Sequence, residues 1–255
     1  MGQAKLVPLG KKNKDVRPIV IGCVDRRLTV KCVVRKYKTD FADHFTPLQH
    51  GVGVAGGIET IRHYAGALKA EHPDWAFLAV DFSNAFHTIN RLHCLRETAH
   101  RFPTLMPFLQ RLYLPISKLW LNLASGKEYI ESAEGAQQGD PLGPFLFAAG
   151  LQPALEQAQQ ALDTIHPTGC VLAYLDDVLI AGPSDHAVHA FKTLKEAASG
   201  SGLKVNEGKC VFFLSRRHRR KTRVPTTRHR SHARRHPPAG IAVRCRRCLR
   251  PSMLP

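Results

Sequence analysis

The sequence predicts an α+β fold, because short apolar runs with strand character alternate with longer stretches of helical spacing, and because three carboxylates stand at the ends of the strand-like runs. Val171–Leu175 and Val178–Ala181 are too short for helices, carry Val, Ile and Tyr, and stop at Gly182-Pro183, so they form two buried strands. Asp176 and Asp177 then sit at a hairpin tip. A third buried run, Trp75–Val80, ends at Asp81.

The remaining elements follow in chain order. Residues 1–15 are a basic lead-in rich in Lys and Gly. Val16–Gly22 is an edge strand, since Pro18 has no N–H to give a central ladder. Asp25 is placed to cap a helix running to about Tyr37, with Leu28, Cys32, Val33 and Tyr37 on one face. Gly51–Gly57 contains G-x-G-x-x-G and opens a helix from Ile58 to Ala70. A dinucleotide site needs a buried strand directly before that match, whereas Asp43–His50 is polar and broken by Pro47. A glycine-rich loop lying close to a template backbone suits it better, because Gly permits close approach. Past Asp81 a turn to Phe86 leads into a helix through Ile89, Leu92 and Leu95, then a second from Thr104 to Leu114 closed by Pro115. Strand pieces at Leu119–Leu123 and Glu128–Ile130 flank a turn at Ser125–Lys127. Pro141 is at or near the first turn of a long helix whose buried part is Leu142–Leu151, and Asp185–Ala198 is the last helix.

Adjacent carboxylates at a rigid tip repel one another, and in an apolar setting they need a cation or hydrogen-bond donors. A polar turn is the competing account, since Asp favours turns. Asp81 shifts the balance, because neighbouring strands of one sheet would bring the two sites together. Oxygen ligands of this kind suit magnesium, which binds through a few carboxylates, water and substrate phosphates. Phosphoryl transfer is the chemistry they imply.

Four stretches in this order, Asp81-Phe82-Ser83-Asn84-Ala85-Phe86, Gln138-Gly139-Asp140-Pro141-Leu142-Gly143-Pro144, Tyr174-Leu175-Asp176-Asp177 and Gly202–Cys210, resemble the palm motifs of reverse transcriptases of the non-LTR retrotransposon type. The resemblance covers roughly residues 5–214. It implies a right-hand polymerase palm, an antiparallel sheet backed by helices, with partial fingers and no thumb. The division expected is fingers at 1–70, palm at 71–214, and a basic disordered tail at 215–255. The implied activity is RNA-directed DNA polymerisation on an RNA template, a DNA primer and dNTP, by attack of the primer 3′-hydroxyl with two Mg2+ ions about 3.5–4 Å apart. Asp81 and Asp176 would hold the metals with the main-chain carbonyl of Phe82, and Asp177 would be auxiliary. Phe86 matches the bulky residue that rejects a ribose 2′-hydroxyl, with a core phenylalanine as the alternative. Gln138 and Gly139 match the motif that contacts the incoming sugar, and they would also make a helix-start turn. Arg17, in Arg17-Pro18-Ile19, matches the residue that approaches the triphosphate; a solvated basic face is the alternative for Arg17, Arg26 and Arg27 alike. Lys209 matches a candidate proton donor to pyrophosphate or charge partner for the phosphates, with a solvated lysine as the alternative. Two other readings stay open: an inert mobile-element remnant that binds nucleic acid, and a relative of RNA-dependent RNA polymerases. Phe86 and Leu175 speak against the second. No motif E follows Cys210.

Composition sets outer bounds. With 255 residues and 44% apolar content the chain can bury a sizeable core. The absence of any run of 18 apolar residues or of a leader makes a soluble intracellular protein, with no membrane role, the expectation. Leu6 occupies the position where a myristoylation signal wants Ser or Thr. The net charge of +17 is uneven: residues 1–38 carry eleven Lys/Arg against two Asp, residues 39–215 twelve against eighteen acids, and residues 216–255 fourteen against none. An acidic middle suits metal binding and a basic N-terminal part suits phosphates. Seven cysteines at irregular spacing do not form a disulfide framework, and Cys23, Cys32, Cys94 and Cys170 fall in apolar contexts expected of core thiols. His232, His236, Cys245 and Cys248 have spacing that permits zinc, which the Arg/His bias of the tail accounts for equally well. Arg216–Pro255 lacks periodicity, so it is expected to be disordered, either as a polyanion-binding arm or, the favoured account, as out-of-frame coding sequence.

Overall fold

The computed structural model describes residues 3–10, 16–164 and 169–214. The lead-in at 11–15 and everything expected beyond Leu214, the zinc spacing included, lie outside the described residues.

Among the described residues eight strands form two four-stranded sheets. The first has the order β2-β1-β4-β5, from β1 (Gln3–Gly10), β2 (Val16–Gly22), β4 (Ser117–Leu123) and β5 (Gly126–Ser132). Pro18 lies on the expected edge strand, opposite Pro8. Part of the basic lead-in, to which the sequence pattern assigns no element, forms the first strand: Ala4 and Leu6 are buried and cover Val20 and Leu119. The expected hairpin around Gly126 joins this sheet through a parallel pairing of β1 with β4. The sheet therefore crosses the division expected at residue 70.

The second sheet has the order β6-β7-β3-β8, from β3 (Ala76–Val80), β6 (Cys170–Tyr174), β7 (Asp177–Gly182) and β8 (Val211–Leu214), all antiparallel. Period-2 alternation divides its faces. Leu78, Val80, Phe82, Val171, Ala173, Val178 and Ile180 join the main core, whereas Phe77, Leu172, Leu179 and Ala181 belong to a smaller cluster with Leu68 and Trp75.

The main core is closed by helices. In α7 (Gly143–Asp163) Phe145 to Leu155 is almost continuously buried; Pro144 occupies its first turn, and Pro141 stands near it, just before the cap Leu142. Asp140 makes the turn before it, its carboxylate accepting from Leu142 N–H at 2.9 Å. α8 (Ser184–Gly200) packs along α7, as does α5 (Arg91–Arg101). Gly150 admits that last approach: a Cβ there would stand 2.5 Å from Cys94 Sγ. Short α4 (Ala85–Thr88) and α6 (Met106–Tyr113) complete this part.

The N-terminal helices α1 (Val24–Lys36), α2 (Lys38–Phe45) and α3 (Gly57–Glu71) follow β2. Asp25 is inside α1, and Cys23 stands at its cap with no side-chain bond. Phe41 stacks on Phe145 with centroids 4.1 Å apart and meets Phe102 edge-on. One core thus spans both sides of residue 70. Cys94 and Cys170 are buried as expected, but Cys23 and Cys32 are exposed, because the buried stripe of α1 is Arg26 and Val30.

Candidate active site

Register brings the three carboxylates to one end of the second sheet. Val80 is the last residue of β3 paired with β7, opposite Val178, so one step further Asp81 stands opposite Asp177. Directly opposite residues share a face, with Cβ atoms about 4.5–5.5 Å apart. That face is the one turned away from the helices α7 and α8. Asp176 occupies the hairpin tip with Leu175, between Tyr174 and Asp177, which pair with each other. Asp81 and Asp176 are half-buried and Asp177 is exposed.

The chain beyond α8 returns along the other side of Asp81. Phe82 and Val205 form an antiparallel bridge, with Ser83 N–H donating to Lys204 O and Asn206 N–H to Asp81 O, each at 2.8 Å. A pair bracketed by such bonds turns its own N–H and C=O the opposite way. The Phe82 carbonyl therefore points away from Val205, toward the side on which the Asp176 tip lies. The same return places Lys209 beside Asp81, its Nζ 3.8 Å from Oδ2.

Asp81 Oδ2 is closed to solvent and has no hydrogen-bond partner. The Lys209 ammonium stands beside it beyond hydrogen-bond distance, and a carboxylate oxygen left without a hydrogen bond suits a closer cation. Among the described residues no three His, Cys, Asp or Glu side chains are grouped to hold a metal unaided. Magnesium does not demand three, because it binds through one or two carboxylates together with waters and substrate phosphates. Asp81, Asp176 and the Phe82 carbonyl are an oxygen donor set that fits it.

A second group forms where the loop before α7 meets β2. Val20 N–H donates to Gln138 O at 2.7 Å, and Gly139 has φ +100 with Val20 O 2.5 Å from where a Cβ would be. Glycine is required there by the strand against it. Gln138 Oε1 is buried and unpartnered, on the wall of a cavity of about 310 Å3 that Leu6, Pro18, Val20 and Gln137 also line. Arg17 is exposed three residues before Val20 on the same strand. Arg26 is not part of a solvated face: it is 4% exposed and donates to Asp140 at 2.6 Å and to Gln137 at 3.3 Å. Phe86 is 7% exposed and stacks on Phe147, centroids 4.5 Å apart.

Two structural residues have no counterpart among the expected ones. Gln49, fully buried, bonds to the Leu175 peptide at the hairpin tip. Arg91, 3% exposed, gathers the carbonyls of Tyr113, Ser132, Glu134 and Gly135 and so ties α5 to the loop that leads to Gln138. The glycines of the G-x-G-x-x-G match meet protein rather than open space: a Cβ at Gly51 would stand 2.7 Å from Leu175 Cγ, and one at Gly53 2.6 Å from Lys38 O.

An antiparallel sheet backed by helices, with carboxylates at the ends of adjacent strands and a second sheet and helices built largely from the N-terminal part, is the palm-and-fingers arrangement of a right-hand polymerase. The fold is similar to that of the telomerase of Candida albicans solved with the TWJ fragment of telomeric RNA (TM-score 0.66, 12% identity, 85% of this chain and 43% of that one). It is also similar to apo telomerase from Candida tropicalis truncated from its C-terminal domain (TM-score 0.62, 11% identity, 83% and 50%). Residues 9–234 match the family of reverse transcriptases (RNA-dependent DNA polymerases), and the chain belongs to that family. The match continues past Leu214, where the motif resemblance ends, into the basic segment. A curated relative, the retrotransposable element SLACS 132 kDa protein of Trypanosoma brucei gambiense, is 29% identical over 212 residues, covering 80% of this chain and 17% of the relative. The chain thus spans about a sixth of that protein's length. No helix among the described residues is long and apolar enough to cross a membrane.

Proposed function

We propose that this chain extends a DNA primer on an RNA template by transferring dNTP-derived nucleotides to the primer 3′-hydroxyl. The observation that carries the reading is the register that sets Asp81 opposite Asp177 and beside the Asp176 tip, on the sheet face turned away from α7 and α8. Asp81 and Asp176, with the Phe82 carbonyl, would hold two Mg2+ ions, and Asp177 would assist. When bound, those ions supply activation of the attacking oxygen and stabilisation of the departing pyrophosphate. Lys209, a charge partner of Asp81 in this structure, is free to swing its long side chain to the phosphates as charge leaves with them. Arg17 approaches the triphosphate from the first sheet. Gln138 turns its unpartnered amide oxygen to the sugar, with Gly139 keeping the loop on β2. Phe86 limits room at the 2′ position. The RNA bound to the similar Candida albicans telomerase supports an RNA template. Fingers at 1–70 and palm at 71–214 are the units of this reading, sharing one core, with 215–255 as a basic appendage.

The test is extension of oligo(dT) on poly(rA) with magnesium. Incorporation is expected from the intact chain and is expected to fall by at least about a thousandfold in Asp176→Ala, which removes a ligand needed only for chemistry. An intact chain that binds RNA with steep salt dependence yet never extends the primer would instead identify a binding remnant.

A further inference from the structure

The hairpin tip that carries Asp176 is held by a residue distant in sequence. Leu175 adopts φ +56, a left-handed conformation that a branched side chain does not take up by itself. Its peptide is gripped on both sides by one amide. Leu175 N–H donates to Gln49 Oε1 at 2.7 Å, and Gln49 Nε2 donates to Leu175 O at 3.1 Å. The same Oε1 accepts from Gly51 N–H at 2.9 Å. Gln49 therefore acts as one more backbone unit alongside the tip, where the strand ladder has ended. It is itself fixed, being 0% exposed and flanked by two backbone bonds to β6, His50 N–H to Ala173 O at 2.7 Å and Ala173 N–H to Leu48 O at 2.6 Å. Gly51 is required beside it, because a Cβ would press within 2.8 Å of Leu175 N and 2.9 Å of the amide oxygen.

We infer that Gln49 is the positioning residue of the catalytic tip: it fixes the Leu175 peptide in its left-handed turn so that the next side chain, Asp176, is held ready for the metal site. The metal consequence rests on the polymerase reading; the clamp itself does not. Methionine is close to glutamine in length and apolar, so Gln49→Met fills the site while removing all three bonds. Gly51→Ala strains the same contact from the other side.

The experiment measures amide exchange at Leu175, His50 and Ala173, and Mn2+ binding by electron paramagnetic resonance, in the intact chain and both variants. Leu175 N–H is expected to be protected in the parent and to lose about tenfold or more of that protection in Gln49→Met, while Ala173 and His50, bonded through backbone alone, keep theirs. Mn2+ affinity is expected to weaken by about tenfold, and where primers are extended, kcat is expected to drop with the KM for dNTP unchanged. An unprotected Leu175 amide in the parent overturns the proposal even if both variants fail to fold. So does a folded Gln49→Met that keeps parental Leu175 protection and Mn2+ affinity, and so does equal loss of protection at all three amides, which would make Gln49 a general packing residue. A parent that binds Mn2+ and shows the Leu175 response but extends no primer would sink the polymerase reading and leave the clamp standing.

Discussion

Phe86 has a packing role beside the gate proposed for it. Its ring lies flat on Phe147, within 10° of parallel, and its carbonyl accepts from Ala136 N–H at 2.7 Å, so it anchors the turn after Asp81 to the loop before Gln138. Gly135 lets that loop lie against it, since a Cβ there would come within 2.5 Å of Phe86 O. A side chain this constrained makes a rigid wall, which is what discrimination against one extra hydroxyl needs. Phe86→Val is therefore expected to raise the ratio of kcat/KM for a ribonucleotide over a deoxynucleotide by roughly tenfold, the scale of a small change in pocket volume. Its stability cost should stay below the about 3–5 kcal/mol of a Phe→Ala truncation. An unchanged ratio with only a lower urea midpoint would leave Phe86 as packing alone. The three carboxylates were legible in the sequence because each ends an apolar run, and a polar residue at the close of a buried strand is a local signal. Gln49 gave no such signal. Its partner is 126 residues away, and nothing next to it distinguishes a clamp from a loop glutamine. Arg26 was hidden in the same way, side by side with an exposed Arg27.

At the level of elements, the joint between α1 and the loop before α7 decides whether Gln138 is presented at all. Arg26 and Asp140 pair at 2.6 Å with side chains 3% and 4% exposed, beneath the ring of Tyr113. Burial first, and then the Asp140 charge, hold the Tyr113 hydroxyl well above its ordinary pKa, so it stays a neutral lid over the pair. A buried pair contributes little against an apolar substitute, yet removing one member strands the other. Asp140→Ala is thus expected to cost about 3–5 kcal/mol by urea unfolding. Replacing both, as in Arg26→Met with Asp140→Leu, should restore most of it. If the double variant is as unstable as the single one, the loss belongs to the helix-start bond from Leu142 and not to a stranded charge. Elements with strong local patterning, such as β3, β7 and α8, were readable to within a few residues, as was the start of α7, whose buried face runs on past Leu151 to Leu162. β1 was not, because only Ala4 and Leu6 supply its buried face and its parallel partner β4 lies more than a hundred residues onward.

For the molecule as a whole, charge is arranged to meet a polyanion without cancelling the acidic end of the palm sheet. α1 exposes Arg27, Lys31, Arg35 and Lys36, while the carboxylates stand on a different element at the sheet end. Among the described residues, His44, Cys94 and Cys170 are shifted toward their neutral forms and make the stability of the fold pH-dependent. His44 is pushed below 6.5 by burial and then by the Arg101 guanidinium, against a smaller upward pull from Glu156. Arg101 approaches its Nε2 at 3.3 Å, a contact made with neutral imidazole as acceptor and lost on protonation. The unfolded chain takes up that proton first, so the His44 contribution is complete above pH 6.5 and is lost as pH falls through the lowered folded value. Cys94 and Cys170 behave oppositely: burial raises each thiol from 9.0 to about 12. Their contribution is complete below pH 9 and drains away as pH rises toward 12, because the unfolded thiols ionise first. Urea midpoints are therefore expected to plateau between about pH 7 and 9 and to decline on both sides. Relative to the parent, His44→Gln should flatten the acid limb alone, and Cys94→Ala the alkaline limb alone. Parallel profiles for parent and variants would place the pH sensitivity elsewhere in the fold.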